Sequence, residues 1–186
     1  MNYTIKPEKH ELEEVRGMVD QVVSTAEAFQ EKDQSLEFGL AWDRKIEPIV
    51  TSSQKVVIRF NTDEENWKNQ VRGAIARGYA QSWFLEHTQP ELHWQELLML
   101  GHSLHFSEKS TGTDTEVDSR ENLETQWPDI KDNLSLSKEK VNHELLHHGF
   151  SLSYYIVDEL LENHEMQDLP DLSRSEVIEA GDKLFK

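Results

Sequence analysis

The chain has 186 residues, with 36 Asp and Glu against 19 Lys and Arg, nine His and no Cys, for a formal charge of -17 near neutrality. Without cysteine there is neither a disulfide framework nor a zinc site built on thiolates. The surplus of negative charge opposes phosphate backbones and anionic membranes, because binding them depends on neutralising phosphate with Lys and Arg.

Apolar runs such as Leu97 to Leu100 fall far short of the roughly 20 residues that span a bilayer. The opening Met1-Asn2-Tyr3-Thr4-Ile5-Lys6-Pro7 lacks the apolar core of a signal peptide. The expectation is a cytoplasmic protein with no nucleic-acid or membrane partner. An acid-rich surface also suits a salt-loaded cytoplasm, although Lys outnumbers Arg here. No solenoid repeat and no Pro-rich or Gly-rich linker interrupts the sequence, so a single domain over residues 1–186 is expected.

From Pro7 to about Glu31, Leu12, Val15, Val19, Val22 or Val23, Ala26 and Phe29 recur at three-to-four spacing, which predicts an amphipathic helix. Residues 36–54, punctuated by Pro48 and Ser52-Ser53, read as connecting structure. Lys55-Val-Val-Ile-Arg-Phe60 is short and β-branched, and reads as a strand. Asn61 or Thr62 then caps a helix whose Trp67, Val71, Ile75, Tyr79 and Trp83 recur every fourth residue to about Glu86. Gly73 and Gly78 in its middle cost roughly 1 kcal/mol each relative to alanine, so something must pack close to that backbone.

Thr88-Gln-Pro-Glu91 has capping-box spacing and predicts a helix through Leu92, Leu97, Leu98, Leu104 and Phe106. Lys109 to Glu121 is polar; it lacks the Gly and terminal Glu of an EF-hand loop and reads as a solvated loop. Ser135 or Ser137 opens a long helical stretch through Val141, Leu145, Leu152, Ile156 and Leu160, which Gly149 can break. A last helix starts at Ser173, with Glu176 at capping-box spacing. The fold class expected is α+β, predominantly helical, with a small β-sheet.

One explicit chemical motif is present. His143-Glu144-Leu145-Leu146-His147 matches HExxH, in which two imidazoles on one helix face hold zinc and the adjacent Glu takes a proton from metal-bound water. A chain this rich in His and Glu also produces the pattern by chance. The long metzincin form fails, because its Gly and third His fall on Phe150 and Ser153. Glu159 and Glu162 continue the same helical run, and one helix does not readily fold back to complete its own tetrahedron. His102 and His105 can share a helix face, but read as satisfied or exposed side chains. The aromatic stripe of Trp67, Tyr79 and Trp83 reads as core.

Residues 56–185 resemble the C-terminal part of a family of predicted zinc-dependent proteases. In that family a short strand leads to a helix bearing a His-Glu-Tyr-His-His segment, a second helix supplies Glu in a Glu-Gly-Leu-Ala-like segment, and a later helix carries a Gly-Tyr pattern. Here Ile75-Ala-Arg-Gly-Tyr-Ala-Gln-Ser-Trp-Phe84 resembles the zinc helix, and Leu97-Leu-Met-Leu-Gly-His-Ser-Leu-His-Phe106 resembles the Glu-Gly segment. Gly149-Phe-Ser-Leu-Ser-Tyr-Tyr-Ile-Val157 resembles the Gly-Tyr helix, and Ser175 to Phe185 the closing helix.

The resemblance implies a zincin-like domain with gluzincin-type helices over residues 55–186, leaving 1–54 as an N-terminal helical region of unassigned role. In this register the family's first His falls on Arg77, its catalytic Glu on Gly78, its second His on Gln81 and its third ligand on Leu100. None of these side chains can serve as ligand or base.

The leading expectation is therefore a zincin-like domain without its metal site, with no cofactor, acting as a binding or structural module for a protein or peptide partner. The alternative is a zinc metallopeptidase with His143 and His147 as ligands, in which Glu144 carries the proton as zinc-activated water attacks a peptide carbonyl. A third possibility is an acidic helical interaction protein of unrelated fold.

Overall fold

The structure, a computed structural model, describes residues 7–137 and 143–185, with side chains described over 7–137 and 149–185. Its contacts divide the chain into two compact units, Met1–Glu86 with Phe106–Asp114, and His87–His105 with Thr115–Lys186. Helices dominate and one three-stranded sheet accompanies them. No helix among the described residues is long and apolar enough to cross a membrane.

The first unit begins with helix α1, Lys9–Phe29, which buries Val15, Met18, Val22 and Ala26. Strands β1 (Glu37–Trp42), β2 (Glu47–Ser52) and β3 (Lys55–Phe60) follow, then helix α2 (Trp67–His87). The sheet order is β1-β3-β2, with β1 parallel and β2 antiparallel to β3.

Strand alternation sorts the side chains. Val56, Ile58 and Phe60 of β3 are fully buried in one core with α1 and with Val71, Ala74, Ile75 and Ala76 of α2. On the opposite face Arg59 pairs with Asp43 at 3.0 Å and Glu47 at 3.1 Å. A buried ion pair, Lys32 Nζ to Glu86 Oε1 at 2.7 Å, ties the connection after α1 to the end of α2, and Lys32 also donates to the Ser53 carbonyl. Of the aromatic stripe, Tyr79 and Trp83 are buried as expected and donate to the carbonyls of Gln30 and Glu31, while Trp67 is partly buried against the core.

The connecting structure expected over 36–54 is instead two strands. Pro48 is tolerated because β2 is an edge, where a missing backbone N–H can be spared. Gly39 lies on the face where an added Cβ would meet Val57 Cγ2 at 3.3 Å, so it marks a tight cross-strand fit.

Helix α3, His93–Thr111, begins later than the Thr88 cap predicts. Gln95 Oε1 accepts from the amides of Glu91 and Leu92, and Leu92 forms a bridge with Ser137, so the chain stays extended up to the helix. The residues of α3 through His105 belong to the second unit and its last turns to the first.

In the second unit a short helix α4 (Arg120–Glu124) begins within the last residues of the stretch read as a solvated loop, and a second, α5 (Trp127–Asn133), occupies a region without a sequence prediction. Helix α6, His143–Leu160, runs unbroken through Gly149, which packs against Leu97 and His93. Ser135 and Ser137 do not lie in a helix; Ser137 is in the bridge to Leu92. The part of the expected long helix at residues 138–142 lies outside the described residues. A 3-10 turn at Met166–Asp171 leads to helix α7, Arg174–Leu184, whose Ser173 and Glu176 form the predicted capping box. Trp127 packs over Gly181 and donates to Asp182 Oδ1 at 2.9 Å, which fixes α7 beside α5.

Candidate functional site

Helix α2 carries three of the four positions, Arg77, Gly78 and Gln81, on which the expected register places the family's metal site. The glycine that the sequence left to be explained at 78 lies directly on the sheet. A Cβ there would stand 2.7 Å from Val56 Cγ1, 3.1 Å from Pro48 Cβ and 3.5 Å from Ile58 Cδ1. Val56 is fully buried and, being β-branched, stiff at χ1. The position matching the catalytic Glu therefore faces packed strands, with no space for a carboxylate and a water.

Gly78→Ala is expected to cost about 1 kcal/mol net, overpacking outweighing the gain in helix propensity. Denaturant unfolding followed by circular dichroism checks it; a stabilised variant would show that the close approach to Val56 is wrong.

Arg77 is partly exposed. Its Nη1 lies 3.2 Å from where a Cβ would stand on Gly73, and Ser107 Oγ and Thr113 Oγ1 are each 3.4 Å from the same point. Ser107 donates to the Gly73 carbonyl at 3.3 Å, Thr111 donates to the Ser107 carbonyl at 2.7 Å, and Thr113 pairs with Thr111 at 2.7 Å. Those hydroxyl hydrogens are spent, so the cluster presents lone pairs to a cation rather than donors to an anion. Burial lowers the Arg77 pKa from its ordinary value and the Glu47 carboxylate opposes the shift. The guanidinium stays protonated all the same and cannot be a zinc ligand.

Gln81 is partly exposed one turn further along α2. Leu100, the fourth matched position, is a partly exposed residue of α3 in the second unit, where its carbonyl accepts from Ser103 Oγ at 2.7 Å. The residues at these four positions do not fit a zinc ion.

The backbone of α6 is helical from His143, as HExxH requires. The side chains of His143, Glu144 and His147 lie outside the described residues.

The other histidines part company despite their spacing. His102 is fully buried. His105 stacks on Tyr154 with ring centroids 4.3 Å apart, and its Nε2 donates to the Tyr154 carbonyl at 3.0 Å, which accords with the satisfied role expected for it. Sequence reasoning missed His93. It is buried, its ring nitrogens have no hydrogen-bond partner among the described residues, and Nδ1 stands 4.0 Å from a Glu96 carboxylate oxygen one turn along α3. The signal was legible as His-x-x-Glu, since residues three apart share a helix face. Two side chains do not make a metal site. Among the described residues no three His, Asp or Glu side chains are grouped to hold a metal ion.

Comparison of the chain with family models, curated proteins and solved structures finds no match.

Proposed function

We propose that the chain is a non-catalytic binding or structural module, a zincin-like domain without its metal site. The observation that carries this reading is the packing of Gly78. A catalytic carboxylate at that position needs an open cleft with a polarised water before it, whereas here the sheet fills the space to within 2.7 Å of the missing Cβ. The neighbouring Arg77 supports the same reading, because a permanent cation where a neutral imidazole is required repels a divalent metal.

Metal analysis of protein purified without chelator and then supplied with zinc tests the proposal, together with a casein hydrolysis assay on the same preparation. The expected result is zinc well below one equivalent and no hydrolysis. Stoichiometric zinc that vanishes in a His143→Ala, His147→Ala double variant would overturn the reading in favour of a metallopeptidase with Glu144 as its base.

A further inference from the structure

One edge of the sheet belongs to β1, and it borders a groove. In the ladder with β3 the amide of Glu37 donates to the Gln54 carbonyl and that of Asp43 to the Phe60 carbonyl. The odd residues of β1 therefore turn their backbone groups inward, and Phe38, Leu40 and Trp42 turn theirs outward. β1 has no second neighbour among the described strands.

Beside that edge, a groove of about 880 Å³ is lined from α1 by a stripe that includes Leu12, Arg16, Val19, Asp20, Val23 and Glu27, and from the sheet side by Leu36 and by Phe38, Gly39 and Leu40 of β1. Leu and Val side chains and Phe38 share its walls with the charged Arg16, Asp20 and Glu27, and Trp42 at the end of the strand is 38% exposed. An unpaired edge with a partly apolar groove alongside is the arrangement by which extended peptides are captured: main-chain hydrogen bonds hold the peptide, and alternate side chains enter the groove. Six residues of β1, at about 3.3 Å each, give room for a strand of roughly 20 Å.

Charge selects the occupant. Asp20 and Glu27 outnumber Arg16 along the groove, and the whole chain carries -17. A second copy would bring an equal negative charge and be repelled, whereas a cationic segment is drawn in.

We propose that β1 and α1 capture an extended peptide segment in which apolar and cationic side chains alternate, added as a fourth strand at the edge of β1. This names the partner class of the binding module proposed above and rests on that reading.

The test uses the full chain with two synthetic octapeptides, one alternating Val and Lys, the other alternating Val and Glu, with Kd measured by fluorescence anisotropy. The Val-Lys peptide is expected to bind at least tenfold more tightly. It should slow amide exchange at Phe38, Leu40 and Trp42, and it should lose at least tenfold in affinity to an Asp20→Lys, Glu27→Lys double variant. Both substituted residues are exposed on α1, so the fold is kept.

Equal affinity for the two peptides, no binding, or protection elsewhere overturns the proposal. So does a dimer by sedimentation whose interface protects these amides, which assigns the edge to a second copy. Binding that appears only after removal of residues 1–6 assigns the groove to the chain itself and likewise overturns it. Cleavage of the Val-Lys peptide, read by mass spectrometry with zinc content on the same sample, sinks the non-catalytic reading instead. An empty groove on uncleaving, metal-free protein sinks only the docking.

Discussion

Gly101→Ala is expected to destabilise the chain by about 3 kcal/mol, although alanine is the better helix former. Gly101 lies where α3 crosses α6. A Cβ there would stand 2.2 Å from the Ser153 carbonyl oxygen, 2.9 Å from its carbon and 2.4 Å from Val157 Cγ2. Two of these atoms are backbone, so no rotamer change relieves the clash and one helix must move. Both Leu97 and Leu98 on α3 and Leu152, Ile156 and Val157 on α6 are buried by the present crossing, and displacement loosens them together.

Gly17→Ala provides the opposite case. Gly17 is exposed on α1 with nothing among the described residues within 4 Å of an added Cβ, and the same substitution there is expected to stabilise by about 1 kcal/mol through backbone entropy. Denaturant midpoints at constant m-value distinguish the two. A Gly101→Ala variant as stable as Gly17→Ala would show that α3 and α6 do not approach as described.

What the sequence revealed and what it concealed divide along a physical line. The β-branched run of β3 and the Ser-x-x-Glu start of α7 are local signals, and both elements form where they were read. The apolar period of α1 was also local, but its six positions read as one face. The structure splits them: Val15, Val22 and Ala26 are buried, Leu12 and Val19 flank a groove, and Phe29 is 49% exposed. Periodicity fixes which side chains share a side of a helix, while the width of what covers them is set by a sheet far along the chain.

Gly78 follows the same logic. Its presence in a helix was a visible anomaly, yet only the tertiary structure could name Val56 and Pro48 as its cause. Pro48, read as punctuation, sits inside a strand because its edge setting tolerates it, and Gly39 sits inside another at a tight cross-strand fit. His93 was passed over among nine histidines, since its His-x-x-Glu spacing shows a shared helix face but not the burial that sets it apart.

Mild acid is expected to cost about 2 kcal/mol of stability between pH 7 and pH 5, through His102. His102 is 0% exposed, and burial, aided by the nearby His105 and His87, lowers its pKa to about 3. In the unfolded chain the same imidazole titrates near 6.5. Between these values the unfolded state binds a proton that the folded state refuses. Stability is therefore retained above about 6.5 and falls as pH drops toward 3.

The upper part of this window lies above the range in which carboxylates protonate. The salt-bridged Asp43 and Asp182 and the capping Glu176, all lowered in pKa by their hydrogen bonds, add their losses only at more acid pH. Urea unfolding at pH 7 and pH 5, for the native chain and for His102→Gln, isolates the imidazole. The variant starts less stable, because a new side chain must fit a closed site, but most of its loss between the two pH values should disappear. If native and variant lose the same amount, the proton is not taken up at His102, and its burial against α3's neighbours is less complete than the structure describes.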